Sequence, residues 1–137
     1  MMQITLGKLS DIQNFDELSK QHWDSFNNKP PNFNKEILSQ MDVVIAKDKE
    51  TPIGYVFFMI FPSWYYTELW CQVDMFFLLP EYRRKGLGKK MFALVEKTAK
   101  EKGVSKLMSS YNIKLNLSSF YLSNGFNETH VAVSKEL

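Results

Sequence analysis

The chain has 137 residues and a net charge of +2, and 45% of its residues are hydrophobic. This length fits one core, so we expect residues 1–137 to form a single domain. The hydrophobic fraction excludes a disordered tail, and the small net charge argues against nucleic-acid binding. The longest apolar run is far shorter than a membrane span, and the single cysteine, Cys71, allows no internal disulfide. We therefore expect a cytoplasmic protein without a membrane partner, with Cys71 as a small buried residue.

Apolar residues alternate in some segments and recur at helical spacing in others. In chain order, this pattern predicts a strand over 2–9, a helix that begins after Ser10, a helix over 34–41, strands over 43–46, 53–61 and 69–79, a helix from Leu87 that stops at Gly103, a strand over 104–110, a helix over 115–124 and a strand over 129–133. The order is βααβββαβαβ. It predicts one mixed α/β unit without repeats or a linker.

The segment 83–89, RRKGLGK, has the clearest chemical meaning. It lies between a long apolar strand that ends at Pro80 and an amphipathic helix. Its two glycines allow the backbone to approach a ligand closely, and the N–H groups and dipole at the start of the helix attract an anion. Basic side chains surround them. The segment therefore predicts a pyrophosphate-binding loop, with a solvated basic turn as the alternative; its glycine spacing is not that of a P-loop or a dinucleotide site.

Residues 80–91, PEYRRKGLGKKM, resemble the acetyl-coenzyme A signature of the GNAT superfamily of N-acetyltransferases, Arg/Gln-x-x-Gly-x-Gly/Ala. Residues 120–126, FYLSNGF, resemble the second motif of that family, and the order of elements agrees with it. The resemblance implies a central mixed, mostly antiparallel sheet flanked by helices, with acetyl-coenzyme A as co-substrate and no metal. The chain is also similar to a subset often encoded by bacteriophages, which would place it in the host cytoplasm.

The resemblance also assigns residues to coenzyme A. The backbone amides of residues 84–89 would hold the pyrophosphate, and the main chain of residues 77–79 would pair with the pantetheine arm. Lys114 stands where the family often has Asn, and Asn116 follows two positions later, so Lys114 would reach a phosphate or would be solvated. The full set is Phe77, Leu78, Leu79, Arg83, Arg84, Lys85, Gly86, Leu87, Gly88, Lys89, Lys114, Asn116, Phe120 and Tyr121.

The implied reaction is direct attack of a primary amine on the thioester through a tetrahedral intermediate, without a covalent enzyme intermediate. The Leu78 amide would stabilise the oxyanion. Tyr121 would be the general acid for the departing thiolate, unless it only packs on the sheet. Asp74, in an apolar strand, would be the base, strengthened by burial among its neighbours; it would otherwise hold the ammonium group and relay its proton, or simply face solvent. Glu68 is the second candidate.

Aromatic residues are the candidates for an acceptor site, because aromatic faces attract cations. Together with Glu68 and Asp74, the predicted acceptor-binding residues are Trp23, Phe26, Trp64, Tyr65 and Tyr66. The aromatic residues would equally serve as core or as a homodimer surface. For His22, a surface or capping role competes with acceptor binding, and His130 is expected to be structural. The acceptor would be an amine on a small molecule or a protein, and the alternative function is a non-catalytic acyl-coenzyme A-binding protein that acts through a protein partner.

Overall fold

A five-stranded sheet in the order β1-β2-β3-β4-β5 forms the centre of the molecule. The structure is a computed structural model that describes residues 2–137. The strands are β1 Met2–Gly7, β2 Asp42–Asp48, β3 Thr51–Pro62, β4 Leu69–Leu78 and β5 Val104–Ser109. The helices are α1 Phe15–Asp24, α2 Lys35–Gln40, α3 Leu87–Glu101 and α4 Ser118–Ser123. Neighbouring strands run antiparallel, except that β4 and β5 are parallel. The predicted mixed, mostly antiparallel sheet is thus confirmed.

The first helix begins later than the sequence pattern predicts. Leu9–Asp11 form a short 3-10 turn, and α1 starts only at Phe15, so Ser10 is not its N-cap. The Asp11 carboxylate instead accepts a hydrogen bond from the Lys8 backbone N–H at 2.9 Å, which stabilises the tighter turn. At α2, the Asn34 side chain accepts from the Ile37 N–H at 3.2 Å, a common way for a helix to begin.

The predicted last strand, over residues 129–133, is wrong. No strand is assigned after β5 in the described chain, and Val131 and Val133 are 89% and 92% exposed. A short alternating segment forms a strand only when a neighbouring strand and a buried face compensate for ordering its backbone. His130, expected to be structural in that strand, is exposed and contacts the adjacent Thr129 hydroxyl.

Helices cover both faces of the sheet and bury two groups of apolar side chains. On one face, α3 packs Met91 and Val95 against sheet residues that include Val56 and Cys71. On the other face, α1 and α2 pack against a group that includes Tyr55. Burial raises the pKa of the Cys71 thiol to about 11, so this thiol is not a nucleophile at neutral pH. The prediction that Cys71 is a small buried residue is confirmed.

A bulge in β4 changes which face its side chains reach. Phe58 pairs with Val73 and Phe57 pairs with Met75, which leaves Asp74 as the extra residue. Val73 packs on the α3 face, whereas Met75 packs on the face of α1 and α2, although the two are only two positions apart. The bulge therefore lets β4 contribute to both cores and leaves the Asp74 side chain exposed.

The parallel strands β4 and β5 are paired only in part. Their register runs from Leu69 opposite Val104 to Val73 opposite Ser109, where β5 ends. Residues 74–78 of β4 therefore have no ladder partner on this side. On the other side, Gly54 of β3 lies so close that a Cβ there would be 2.7 Å from the Phe77 carbonyl oxygen. The end of β4 is thus held tightly against β3 and open toward β5.

None of the helices in residues 2–137 has the length and hydropathy needed to cross a membrane.

Candidate active site

A cavity of about 410 Å³ lies where β4 and β5 separate. Three walls enclose it. The α1 wall and the loop after it contribute His22, Trp23, Phe26 and Phe33. The bulge in β4 contributes Asp74, Met75 and Phe76. The third wall, called the α4 wall, runs from the end of β5 to α4 and includes Tyr111, Asn112 and Tyr121. The cavity therefore brings together Trp23, Phe26, Asp74 and Tyr121, four residues that the sequence singles out from distant segments.

Asp74 gives the cavity its charge. It is the one acidic residue among the described lining residues, and no lysine or arginine lines the cavity. Its carboxylate has no ion pair or hydrogen bond within residues 2–137. The side chain is exposed, so the predicted burial among Met75, Phe76 and Phe77 is wrong. An accessible carboxylate in an otherwise uncharged, largely aromatic cavity favours a cationic group.

Leu78 directs its backbone groups toward the open edge of β4. The Leu79 N–H donates to the Ile53 carbonyl of β3 at 3.0 Å. Because successive residues of a strand point their backbone groups to opposite sides, those of Leu78 point away from β3. Accordingly, the Leu78 carbonyl accepts from Arg83 Nε at 2.7 Å. Of residues 77–79, Leu78 therefore offers its N–H to a ligand beside the sheet.

The glycine-rich turn leads directly into α3. Gly86 is the N-cap residue of this helix and has a φ of 82°, and Arg84 also has a positive φ. A Cβ built at Gly86 would meet nothing within 4 Å, so the space before the helix is open. Gly88 has a different role, because a Cβ there would lie 3.1 Å from the Phe120 ring. The turn thus combines an accessible helix N-terminus with close packing against α4.

The basic residues of the turn occupy two different positions. Arg84, Lys85 and Lys89 are exposed around the start of α3. Arg83 instead turns back toward β4, where its guanidinium lies over the Phe77 ring with its carbon 5.5 Å from the ring centroid. Arg83 therefore fixes the end of β4, while Arg84, Lys85 and Lys89 provide the positive charge of the turn.

The Tyr121 hydroxyl lies on the α4 wall of the cavity and accepts a hydrogen bond from Ser109 Oγ at 2.8 Å. Its ring stacks on Tyr111, with centroids 5.5 Å apart. Burial raises the pKa of Tyr121, although the hydrogen bond from Ser109 acts in the opposite direction. The phenol is therefore protonated at neutral pH, and because Ser109 supplies a proton to its oxygen, its own O–H is available as a donor.

His22 is buried, so the interpretation as a surface residue is wrong. It lies on the inner side of α1, where its Nδ1 is 2.8 Å from the Tyr55 hydroxyl. Its ring stacks on Phe77 with centroids 5.0 Å apart. Burial, together with the positive charge of Arg83, lowers the pKa of His22 to about 4. The imidazole is therefore neutral at pH 7.

We expect the stability of the protein to fall as the pH drops through the range from about 6.5 to about 4. In this range unfolded His22 binds a proton and the folded residue does not, so protonation favours the unfolded state. The contribution amounts to roughly 3 kcal/mol of unfolding free energy. Urea unfolding at several pH values measures it. A His22→Gln variant should lose this part of the pH dependence, and equal slopes in both proteins would contradict the assignment.

Several predicted residues lie elsewhere. Trp64, Tyr65 and Tyr66 are 64–89% exposed in the connection from β3 to β4. This connection joins β4 at Leu69, about 16 Å along the strand from Asp74. They are neither core nor part of the cavity. The Glu68 carboxylate, in the same connection, accepts from the Trp70 indole N–H at 2.6 Å.

Lys114 and Asn116 are exposed between β5 and α4 and do not line the cavity. In contrast, Tyr111 and Asn112 line it but are absent from the residues that the sequence singled out. Both lie just beyond the end of β5. Residues in that position commonly form sites, so their place in the sequence could have identified them as candidates.

Solved structures with the same fold include several acetyltransferases. A ribosomal-protein-alanine N-acetyltransferase from Brucella melitensis biovar Abortus 2308 has a TM-score of 0.83 and 20% identity, over 100% of this chain and 98% of that chain. The aminoglycoside N-acetyltransferase AAC(6')-Iy, solved with CoA, has a TM-score of 0.80 and 20% identity, over 100% and 95% of the two chains. A transcriptional regulator from Bacillus halodurans C-125 has a TM-score of 0.84 at 15% identity, with both chains fully covered.

These identities establish a shared fold and leave the acceptor open. No curated protein sequence matches the chain significantly. The model of the acetyltransferase (GNAT) family matches residues 9–126, which include the open edge of β4, the glycine-rich turn and Tyr121. The resemblance found in residues 80–91 and 120–126 is thereby confirmed, and the chain belongs to the acetyltransferase (GNAT) family.

Proposed function

We propose that the chain, as a single domain, transfers an acetyl group from acetyl-coenzyme A to a primary amine. The observation that carries this proposal is the position of the cavity. It lies beside the unpaired end of β4, the segment that also carries the Leu78 N–H, and it is lined by one carboxylate, Asp74, and by the phenol of Tyr121 from a separate element. An acyl-transfer site needs a place for the amine, a donor for the developing oxyanion and an acid for the leaving group.

The residues at the glycine-rich turn fit coenzyme A. The open space at Gly86, the positive φ there and the exposed charges of Arg84, Lys85 and Lys89 suit a pyrophosphate at the start of α3. The open edge of residues 74–78 suits an extended chain that lies beside β4 like a further strand. When bound, acetyl-coenzyme A supplies an activated acetyl thioester.

The residues around the cavity are proposed to act in binding the amine, stabilising the oxyanion and protonating the leaving group. A primary amine has a pKa near 10.4, so only about one molecule in a thousand is nucleophilic at pH 7. We assign Asp74 to hold the ammonium group, and since its carboxylate is exposed, the proton can leave to solvent. The Leu78 N–H would donate to the acetyl oxygen as negative charge develops there. Tyr121 would donate its proton to the leaving sulfur, a role consistent with its protonated phenol.

The test is release of free thiol from acetyl-coenzyme A in the presence of candidate amines. The panel should contain an aminoglycoside, a peptide with N-terminal alanine and simple alkyl amines, with mass spectrometry to identify acetylated product. The first two represent the acceptors named for the structural relatives. Thiol release with formation of an N-acetyl product supports the proposal. Coenzyme A binding without any product across the panel contradicts it.

One observation favours a second function. Trp64, Tyr65 and Tyr66 are exposed in one connection outside the cavity, an arrangement that suits contact with a protein partner or a second copy of the chain. In that case the fold would bind an acyl-coenzyme A without catalysis. Thermal stabilisation by acetyl-coenzyme A together with no thiol release would favour this alternative.

A further inference from the structure

The pair formed by His22 and Tyr55 has no role in the reaction described above. Tyr55 is fully buried in the sheet, and His22 is buried on α1, so the pair joins the sheet to the α1 wall of the cavity. His22 also lines the cavity. Its Nδ1 faces Tyr55, whereas its Nε2 has no hydrogen-bond partner in residues 2–137 and is not sealed from solvent.

The hydrogen bond determines which nitrogen of His22 carries the proton. The Tyr55 hydroxyl has His22 Nδ1 as its one hydrogen-bond partner in the described structure. If Nδ1 carried the hydrogen, the phenol O–H would remain unpaired in an apolar core, which is unfavourable. The phenol therefore donates to Nδ1, and the proton of the neutral imidazole is on Nε2. Burial keeps both groups uncharged, since it lowers the pKa of His22 and raises that of Tyr55.

The cavity thus contains a fixed neutral donor in addition to a carboxylate. The donor is the Nε2–H of His22, held by Tyr55 and by stacking on Phe77. The carboxylate is Asp74, on a different wall. A neutral N–H donor has no partner on a plain alkyl ammonium ion, which itself carries only donors. It does have a partner on an amine whose skeleton bears a carbonyl or hydroxyl oxygen.

We propose that His22 is a specificity-determining residue, which donates from Nε2 to an oxygen of the acceptor while Asp74 holds its amino group. The acceptor is then a primary amine with a neutral oxygen close by, as in a peptide N-terminus or an amino sugar, rather than a hydrocarbon amine or polyamine. This inference rests on the proposed acetyltransferase function. Tyr55 acts through His22 and is a positioning residue.

Matched amines test the preference directly. Alaninamide and 3-methylbutan-2-amine have nearly the same shape, but only the first carries a carbonyl oxygen; trans-2-aminocyclohexanol and cyclohexylamine form a corresponding hydroxyl pair. Because a nearby oxygen also lowers the pKa of the amine, kcat/KM is expressed per concentration of unprotonated amine. We expect wild-type kcat/KM to favour the oxygen-bearing member of at least one pair by about tenfold or more. The pair that shows the preference identifies the source of the oxygen.

Substitutions at His22 and Tyr55 test whether the His22 N–H causes the preference for oxygen-bearing amines. His22→Phe keeps an aromatic ring but removes the N–H, so it should lower kcat/KM for the oxygen-bearing amine by about tenfold more than for the hydrocarbon amine, mainly through KM. His22→Gln retains an N–H donor and should restore part of the preference. Tyr55→Phe frees the tautomer and should give an intermediate loss.

Two outcomes would overturn the inference while leaving the proposed function intact. One is equal acetylation of both members of each pair by the wild type. The other is an unchanged preference in His22→Phe. If no amine is acetylated, the proposed function itself fails. Because a His22 variant can misfold, long-range ¹H–¹⁵N NMR of the wild type provides an independent test: it should show the proton of His22 on Nε2, and a proton on Nδ1 would contradict the inference.

Discussion

Gly86→Asp should abolish measurable binding of coenzyme A. Gly86 precedes α3 with a φ of 82°, and a Cβ there would point into open space before the helix. A carboxylate in that space would face the pyrophosphate. At 4 Å and an effective dielectric constant near 20, the repulsion between two unit charges is about 4 kcal/mol, which corresponds to roughly a thousandfold loss of affinity. Isothermal titration calorimetry with coenzyme A measures this loss.

Gly86→Asn is the matched control, because Asn has the same shape as Asp without the charge. Both residues tolerate positive φ better than other side chains, so both variants should remain folded, with a similar small loss of stability. Asn should weaken binding far less than Asp, and the difference should shrink at high salt because salt screens exposed charges. Unchanged affinity in the Asp variant would remove the glycine-rich turn from the cofactor site.

The elements that depend on local pattern were predictable from the sequence. The 15-residue helix α3 has one apolar face and begins directly after the glycine-rich turn, so both its position and its start could be derived from spacing alone. The same holds for the strands β2 and β3, whose predicted ranges lie within those of the structure. The proposed anion site is also local, since it needs only a strand end, two glycines and a helix start.

Features that depend on distant contacts were not predictable. His22 and Tyr55 are 33 positions apart, and nothing in the residues around His22 indicates a buried phenol as its partner. The bulge at Asp74 shifts the strand by one residue, which exposes a side chain that the surrounding apolar residues suggest is buried. The exposed positions of Trp64, Tyr65 and Tyr66 were not predictable either. The sequence alone does not distinguish aromatic residues in a core from those in a cavity wall or on an exposed surface.

Tyr121→Phe should lower kcat by about a hundredfold or more, within the range of general acid catalysis, and leave coenzyme A affinity nearly unchanged. The ring is retained, so its stacking on Tyr111 and its packing on Phe92 should persist. What disappears is the Tyr121 O–H, which the hydrogen bond from Ser109 leaves free to donate. Steady-state thiol release and calorimetry on the same preparation separate the two effects.

Ser109→Ala is the matched control, since it removes the hydrogen bond to Tyr121 but keeps the phenol. Because that hydrogen bond lowers the pKa of Tyr121 against the effect of burial, its loss should raise the pKa further and leave the phenol protonated across the neutral range. Turnover in Ser109→Ala should therefore fall much less than in Tyr121→Phe. Wild-type turnover in Tyr121→Phe would assign Tyr121 to packing. The sulfur would then take its proton from water, and the pH profiles of turnover for wild type and Tyr121→Phe should coincide.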